Sequence, residues 1–205
     1  MAAITPTLSI DIGIRHLGYS ILTEDGLTFG LFDIVDAYKS DPELKAVKHV
    51  AVQRAWVLNR FLSRLIKEHK IKQVIVERQV QTNTVAMELV HTIVGICVAW
   101  IPKIIIFDPK KKFTMMHVKY STKNKAHKKL AVSMCREALE KLYPDLVTDF
   151  DQHDKQDDIA DSILMNLLVN RVIGIRDNNK LPLENVPKRL KTPIVQRTLI
   201  EDTRE

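Results

Sequence analysis

Four acidic residues stand out because of where they fall in the hydropathy pattern. Asp11 lies in the middle of the apolar run Thr7-Leu-Ser-Ile-Asp-Ile-Gly13, and Glu77 ends the apolar run Val74-Ile-Val-Glu77. Asp158 and Asp161 are three residues apart in a segment of helical character, so both project from one face. A carboxylate inside a buried strand is costly unless it is paired or bound to a cation. Two neighbouring strands and one helix could bring all four carboxylates together. Their mutual repulsion would then call for hard divalent cations with oxygen ligands. Such a site suits phosphodiester hydrolysis, in which two Mg2+ or Mn2+ ions roughly 3.5–4 Å apart activate a water and stabilise the leaving oxygen.

Each acid taken singly has an ordinary explanation. Asp158 and Asp161 could decorate a solvated helix start, where acids favour the dipole. Glu77 could be a strand-end ion pair. Asp11 is harder to set aside, since its position calls for an apolar residue. The joint order of strand Asp, strand Glu and helix Asp-x-x-Asp is far more specific than any one member. Asp157 competes with Asp158, and the spacing to Asp161 favours Asp158.

The elements that must position these acids follow from periodicity. Strands are predicted at Thr7–Gly13, Gly18–Thr23 and Leu27–Ile34, with Asp25-Gly26 as a type I′ hairpin signal. Asp41-Pro42 starts a helix reaching about Lys70, because Asp caps and Pro is tolerated at the first helical position. Val74–Glu77 and Lys103–Phe107 read as buried strands, the second ended by Asp108-Pro109. Helices are predicted at Thr84–Trp100, Asn124–Leu142 and Gln156–Asn170. The order β-β-β-α-β-α-β-α-α predicts an α/β fold: a mixed five-stranded sheet, an antiparallel meander followed by parallel strands, with helices on both faces. Residues 1–175 form one domain in this reading. Residues 176–205, with Pro182, Pro187 and Pro193, are an extended basic tail in which Lys188, Arg189, Lys191 and Arg197 could add non-specific contacts.

The balance of 31 basic against 25 acidic residues, net +6, suits a polyanionic partner but does not establish one. Between Pro109 and Lys129 there are eight lysines, two histidines and no acid. Lys110, Lys111, Lys112, Lys119, Lys123, Lys125 and Lys128, with Tyr120 and Phe113 interleaved, are candidates for a surface that tracks phosphates and stacks bases. A solvated face is the plainer reading of such a run. Cys97 and Cys135 sit in apolar, helix-like stretches and are expected to be reduced core residues. No membrane span, signal peptide or nucleotide cofactor is expected. An intracellular location is expected.

Three blocks carry a resemblance. Ser9-Ile-Asp-Ile-Gly-Ile-Arg15, Val76-Glu-Arg-Gln79 and Lys155-Gln-Asp-Asp-Ile-Ala-Asp-Ser162 resemble the signature blocks of the RuvC-type Holliday junction resolvases of the RNase H-like superfamily. The poxvirus and fungal mitochondrial branches are the most similar. The resemblance implies an RNase H-like fold and a structure-specific endonuclease that resolves four-way DNA junctions with two metal ions per site, leaving 5′-phosphate and 3′-hydroxyl nicks. It implies Asp11, Glu77, Asp158 and Asp161 as metal-binding catalytic carboxylates. Lys155 matches a basic residue beside the scissile phosphate, or is a solvent-exposed helix-start residue. Gln79 serves junction binding or packing. The resemblance also implies a homodimer, whose two-fold axis would match that of a junction. The apolar helix Thr84–Trp100 is equally explained by core burial. One departure concerns Val80-Gln-Thr-Asn83, which lacks the aromatic residue that bacterial members place after the strand Glu to stack on junction bases.

Three rivals are open. The first is an RNase H-like nuclease acting on other branched DNA or on RNA–DNA hybrids. The second is a non-catalytic junction-binding protein. The third is a sugar-kinase or actin-like ATPase, suggested by Asp11-Ile-Gly13, which needs a second phosphate loop and a much longer chain.

Overall fold

The computed structural model describes residues 4–115 and 124–172, with backbone positions only for 124–126. Three strands open the chain: β1 (Thr7–Ile12), β2 (His16–Thr23) and β3 (Gly26–Asp33). Then follow α1 (Ile34–Ser40), a 3-10 turn (Pro42–Leu44), α2 (Val50–Glu68), β4 (Gln73–Glu77), α3 (Thr84–Val98), β5 (Lys103–Phe107) and α4 (Pro109–Met115). The chain continues through α5 (Asn124–Leu142), a second 3-10 turn, α6 (Val147–Gln152) and α7 (Gln156–Val169). The sheet order is β3-β2-β1-β4-β5. β1 pairs antiparallel with β2, β2 antiparallel with β3, and β1, β4 and β5 run parallel. This is the mixed sheet the residue pattern predicts.

Alternation along the central strands divides the interior in two. Leu8, Ile10 and Ile12 of β1, with Val74 and Val76 of β4, join a core built on α1, α2 and α3. Phe61 stacks on Phe32 there, with ring centroids 4.0 Å apart. On the opposite face a second core joins Leu22, Ile75 and Phe107 to α5, α6 and α7. The helices therefore cover both faces. Each strand residue turned to the α7 side is one step out of phase with the aliphatic set. On β1 those residues are Thr7, Ser9 and Asp11, all buried.

A polar ladder fastens α7 over β1 and β2. Ser20 Oγ donates to the carbonyl of Ser162 at 2.9 Å. Asn166 Nδ2 lies 3.2 Å from the carbonyl oxygens of Thr7 and Ser20 and from Ser20 Oγ. Gln73 Nε2 donates to Thr7 Oγ1 at 3.2 Å. Small and polar side chains bring the helix main chain close to the sheet, and the hydrogen bonds offset the cost of burying them.

Local signals depart from expectation at three places. The hairpin between β2 and β3 turns on Glu24 and Asp25, with Thr23 paired to Gly26, and the positive φ (133°) falls on Gly26. Neither central residue has the positive φ of a type I′ turn, so the turn sits one residue earlier than the Asp-Gly pair indicates. Asp41-Pro42 caps a single 3-10 turn, with Asp41 Oδ1 accepting from the Glu43 amide at 2.9 Å. α1 precedes that turn, unannounced by periodicity because seven residues are too few to show a face. Asp108-Pro109, expected only to end a strand, also opens α4: Asp108 Oδ1 accepts from the Lys110 amide at 2.9 Å. The expected tail, residues 176–205, lies outside the described residues.

Candidate metal centre

Asp11 stands one residue before the end of β1, and Glu77 at the end of β4, the parallel neighbour of β1. Asp161 comes from the second turn of α7, which crosses the sheet on that face. One carboxylate oxygen from each of Asp11, Glu77 and Asp161 lies within 4.8 Å of the other two. Asp11 and Glu77 are buried, and Asp161 is partly so. Asp158 lies one turn earlier on α7 and raises the pKa of Asp161 through its charge, but it stands outside this three-residue group. The expectation that all four acids form one tight cluster is therefore met by three, with Asp158 alongside.

The cluster is electrostatically uneven. Burial, then the charge of Glu77 and a hydrogen bond to it, drive the Asp11 carboxyl well above its ordinary value of 3.8. Burial also opposes ionisation of Glu77. The hydrogen bond with Asp11 and the nearby Lys112 ammonium outweigh it and hold Glu77 below 4.5. Asp161 is raised by burial against the lowering charge of Lys112, and Asp158 is raised by burial and by Asp157.

Lys112 is the main surprise. The residue pattern groups it with a DNA-tracking surface; the structure buries it, at 3% side-chain exposure, inside the carboxylate cluster. Its Nζ donates to Glu77 Oε1 at 3.1 Å and lies 2.9 Å from Asp161 Oδ1. The ammonium thus bridges the Glu77 and Asp161 carboxylates. Lysines at neighbouring positions look alike in sequence. Only the short α4, begun by Asp108-Pro109, decides which of the three turns inward. Phe113, expected to stack on bases, is buried instead, 5.1 Å from the His127 ring.

The remaining candidates are spread around this pocket. Gln79 Nε2 donates to Glu77 Oε2 at 3.1 Å and so orients that carboxylate. Lys110 and Lys111 are exposed on α4. Lys128 on α5 is exposed and ion-paired with Asp157, an arrangement that separates Asp157 from Asp158. Lys155 is the N-cap residue of α7 and is exposed; its charge helps to lower the pKa of Asp157 and offsets part of the rise at Asp158. Lys119, Tyr120 and Lys123 lie outside the described residues. Lys125 is described only as a backbone position in the first turn of α5. Cys97 and Cys135 are both free and buried. No helix among the described residues is long and apolar enough to cross a membrane.

The donor set fits a divalent cation. It is all-oxygen and anionic, and it converges from three elements.

The fold has counterparts among known proteins. The fold is similar to that of the fowlpox virus resolvase, solved in complex with Holliday junction DNA (TM-score 0.58, 16% identity, covering 82% of this chain and 97% of that one). It is also similar to the yeast mitochondrial Holliday junction resolvase Ydc2 (TM-score 0.57, 15% identity, 81% of this chain and 78% of that one). Thermus thermophilus RuvC in complex with a Holliday junction substrate is a third (TM-score 0.51, 16% identity, 80% and 90%). No curated protein matches by sequence. The Poxvirus A22 protein family model matches residues 7–173, and this chain belongs to that family.

Proposed function

We propose that this protein is a metal-dependent endonuclease that resolves four-way DNA junctions. The observation that carries the reading is the convergence of Asp11, Glu77 and Asp161 from β1, β4 and α7, two of them buried and the third partly so, with one oxygen of each within 4.8 Å of the others. The family membership and the fold shared with three junction resolvases support the substrate class.

Asp11, Glu77, Asp158 and Asp161 hold the cations, two Mg2+ ions with Mn2+ able to substitute. Once bound, these ions supply Lewis acidity for attack of water on the scissile phosphodiester. The protein's own groups do the positioning. Gln79 fixes the rotamer of Glu77, and the β1–β4 pairing fixes the separation of Asp11 and Glu77. α7 sets Asp158 and Asp161 over the strand ends. Lys155, exposed where α7 begins, is the cation assigned to stabilise developing charge on the phosphate. Lys110, Lys111 and Lys128 face solvent around the same pocket and supply the phosphate contacts, with Lys119, Tyr120, Lys123 and Lys125 of the same basic stretch.

The protein works as a homodimer on a two-fold substrate. Supporting this is the apolar surface left by α3 and the loop after it, where Val98 is 66% and Trp100 57% exposed. The nuclease domain is residues 1–175, and the basic tail adds non-specific contacts. It acts where viral DNA is replicated. The test is cleavage of a synthetic four-way junction with and without Mg2+, beside duplex, flap and RNA–DNA hybrid substrates. Preferential, Mg2+-dependent cleavage of the junction is expected. Equal cleavage of all substrates, or activity in a chelator, overturns the reading.

A further inference from the structure

Lys112 occupies the space between two of the carboxylates that the proposed function gives to the metal. Its ammonium is 3.1 Å from Glu77 Oε1 and 2.9 Å from Asp161 Oδ1, and its side chain is 3% exposed. The charge of Asp11 also acts on it. A divalent cation drawing on the same oxygens stands about 2.0–2.6 Å from each. The two positive centres cannot share the pocket without strong repulsion in surroundings of low dielectric. Lys112 is not part of the rigid sheet. It sits on α4, a seven-residue helix anchored by the Asp108 cap and by Phe113 against His127. The flanking Lys110 and Lys111 are exposed, so a cationic side chain leaving the pocket has a solvated, basic face to join.

We propose that Lys112 is a resident counter-ion: it holds the carboxylates together whenever no metal is bound and must swing out for divalent cations to enter. The proposal rests on the metal reading of the site. Without a cation, Glu77 and Asp161 would face each other unneutralised, and the uncompensated buried charge would destabilise the fold. With Lys112 in place the site is stable but blocked, so metal affinity is lowered by the work of expelling it.

The test compares wild type with Lys112→Met and Lys112→Arg, using Mn2+ calorimetry and thermal melts in chelator and in Mn2+. Lys112→Met is expected to bind Mn2+ about tenfold or more tightly than wild type. It should melt lower in chelator and gain more from Mn2+, as preferential binding to the native state requires. Lys112→Arg keeps the charge and should not tighten binding. If Lys112→Met is unfolded in chelator, its recovery on adding Mn2+ supports the same conclusion, and failure to recover overturns it. Equal or weaker Mn2+ binding by Lys112→Met overturns the counter-ion role while leaving the metal reading intact. No Mn2+ binding by wild type and by Lys112→Met removes the metal reading itself, and this inference with it.

Discussion

Gly18 lies against the main chain of Asp158: a Cβ on Gly18 would come within 2.2 Å of the Asp158 carbonyl oxygen and 2.4 Å of its carbonyl carbon. Gly18 also pairs with Asp11 across the β1–β2 register, so it faces the side of the sheet that carries the acid. The missing side chain therefore sets how closely the first turn of α7 approaches the metal-binding strands. Gly18→Ala is expected to lift that turn. Overpacking of this kind costs about 1–3 kcal/mol. Displacement of Asp158 and Asp161 by about 1 Å should slow cleavage roughly 100-fold. Single-turnover junction cleavage beside thermal melts checks this; unchanged cleavage would show that α7 tolerates the shift.

Asp11→Asn tests the catalytic assignment. It removes the carboxylate without changing side-chain shape, and the basic surface is untouched. Cleavage should fall by at least about 1000-fold (some 4 kcal/mol of transition-state stabilisation), with junction affinity in Ca2+ unchanged. Gel-shift and cleavage assays on one preparation separate the two, and an active Asp11→Asn protein refutes the assignment.

Asn166 ties α7 to the carbonyls of Thr7 and Ser20 and to Ser20 Oγ in a fully buried position. Asn166→Ala leaves buried acceptors short of a donor and opens a small cavity, so a loss of about 1–3 kcal/mol is expected. Urea denaturation should show a lower midpoint with an unchanged slope. An unaffected midpoint would mean that the ladder contributes nothing net.

Asp33 provides the pH dependence. Burial raises its pKa, but the Asp36 amide at 2.8 Å, Arg15 at 2.9 Å and His16 at 3.1 Å overcome this and hold it below 3.8. A folded-state value lowered in this way gives stability that is fully present above 3.8. That stability is lost as pH falls through the folded value. Asp33→Ala should cost about 1 kcal/mol at neutral pH through the lost cap of α1. The difference from wild type should shrink toward pH 2, as read from urea melts across the acid range. A difference independent of pH would assign the whole effect to packing.

Lys110 and Lys111 are exposed beside the pocket, whereas Lys112 is not. Lys110→Glu and Lys111→Glu are each expected to weaken junction binding and to reduce the slope of log affinity against log salt by about 1. Fluorescence anisotropy over a range of salt measures both. An unchanged slope would place these lysines outside the DNA path.

The meander followed by parallel strands, the two helical faces and the meeting of Asp11, Glu77 and Asp161 were legible in the residues. Each rests on a signal that a local pattern carries: alternation, helical spacing, or a charge set where an apolar residue belongs. Short elements were not. α1 and α4 have seven residues each, too few for periodicity to reveal a face, and the cap that opens α4 looked only like the end of β5. The placement of Asp158 beside the cluster rather than in it follows from how α7 seats on Gly18 and Ser20, a contact between segments some 140 residues apart. Lys112 belongs to the same class. Three consecutive lysines are chemically equivalent along the chain, and the one that enters the carboxylate pocket is chosen by the angle at which α4 leaves the sheet. Only the packed molecule defines that angle, because desolvating an ammonium is favourable only where anionic partners already converge.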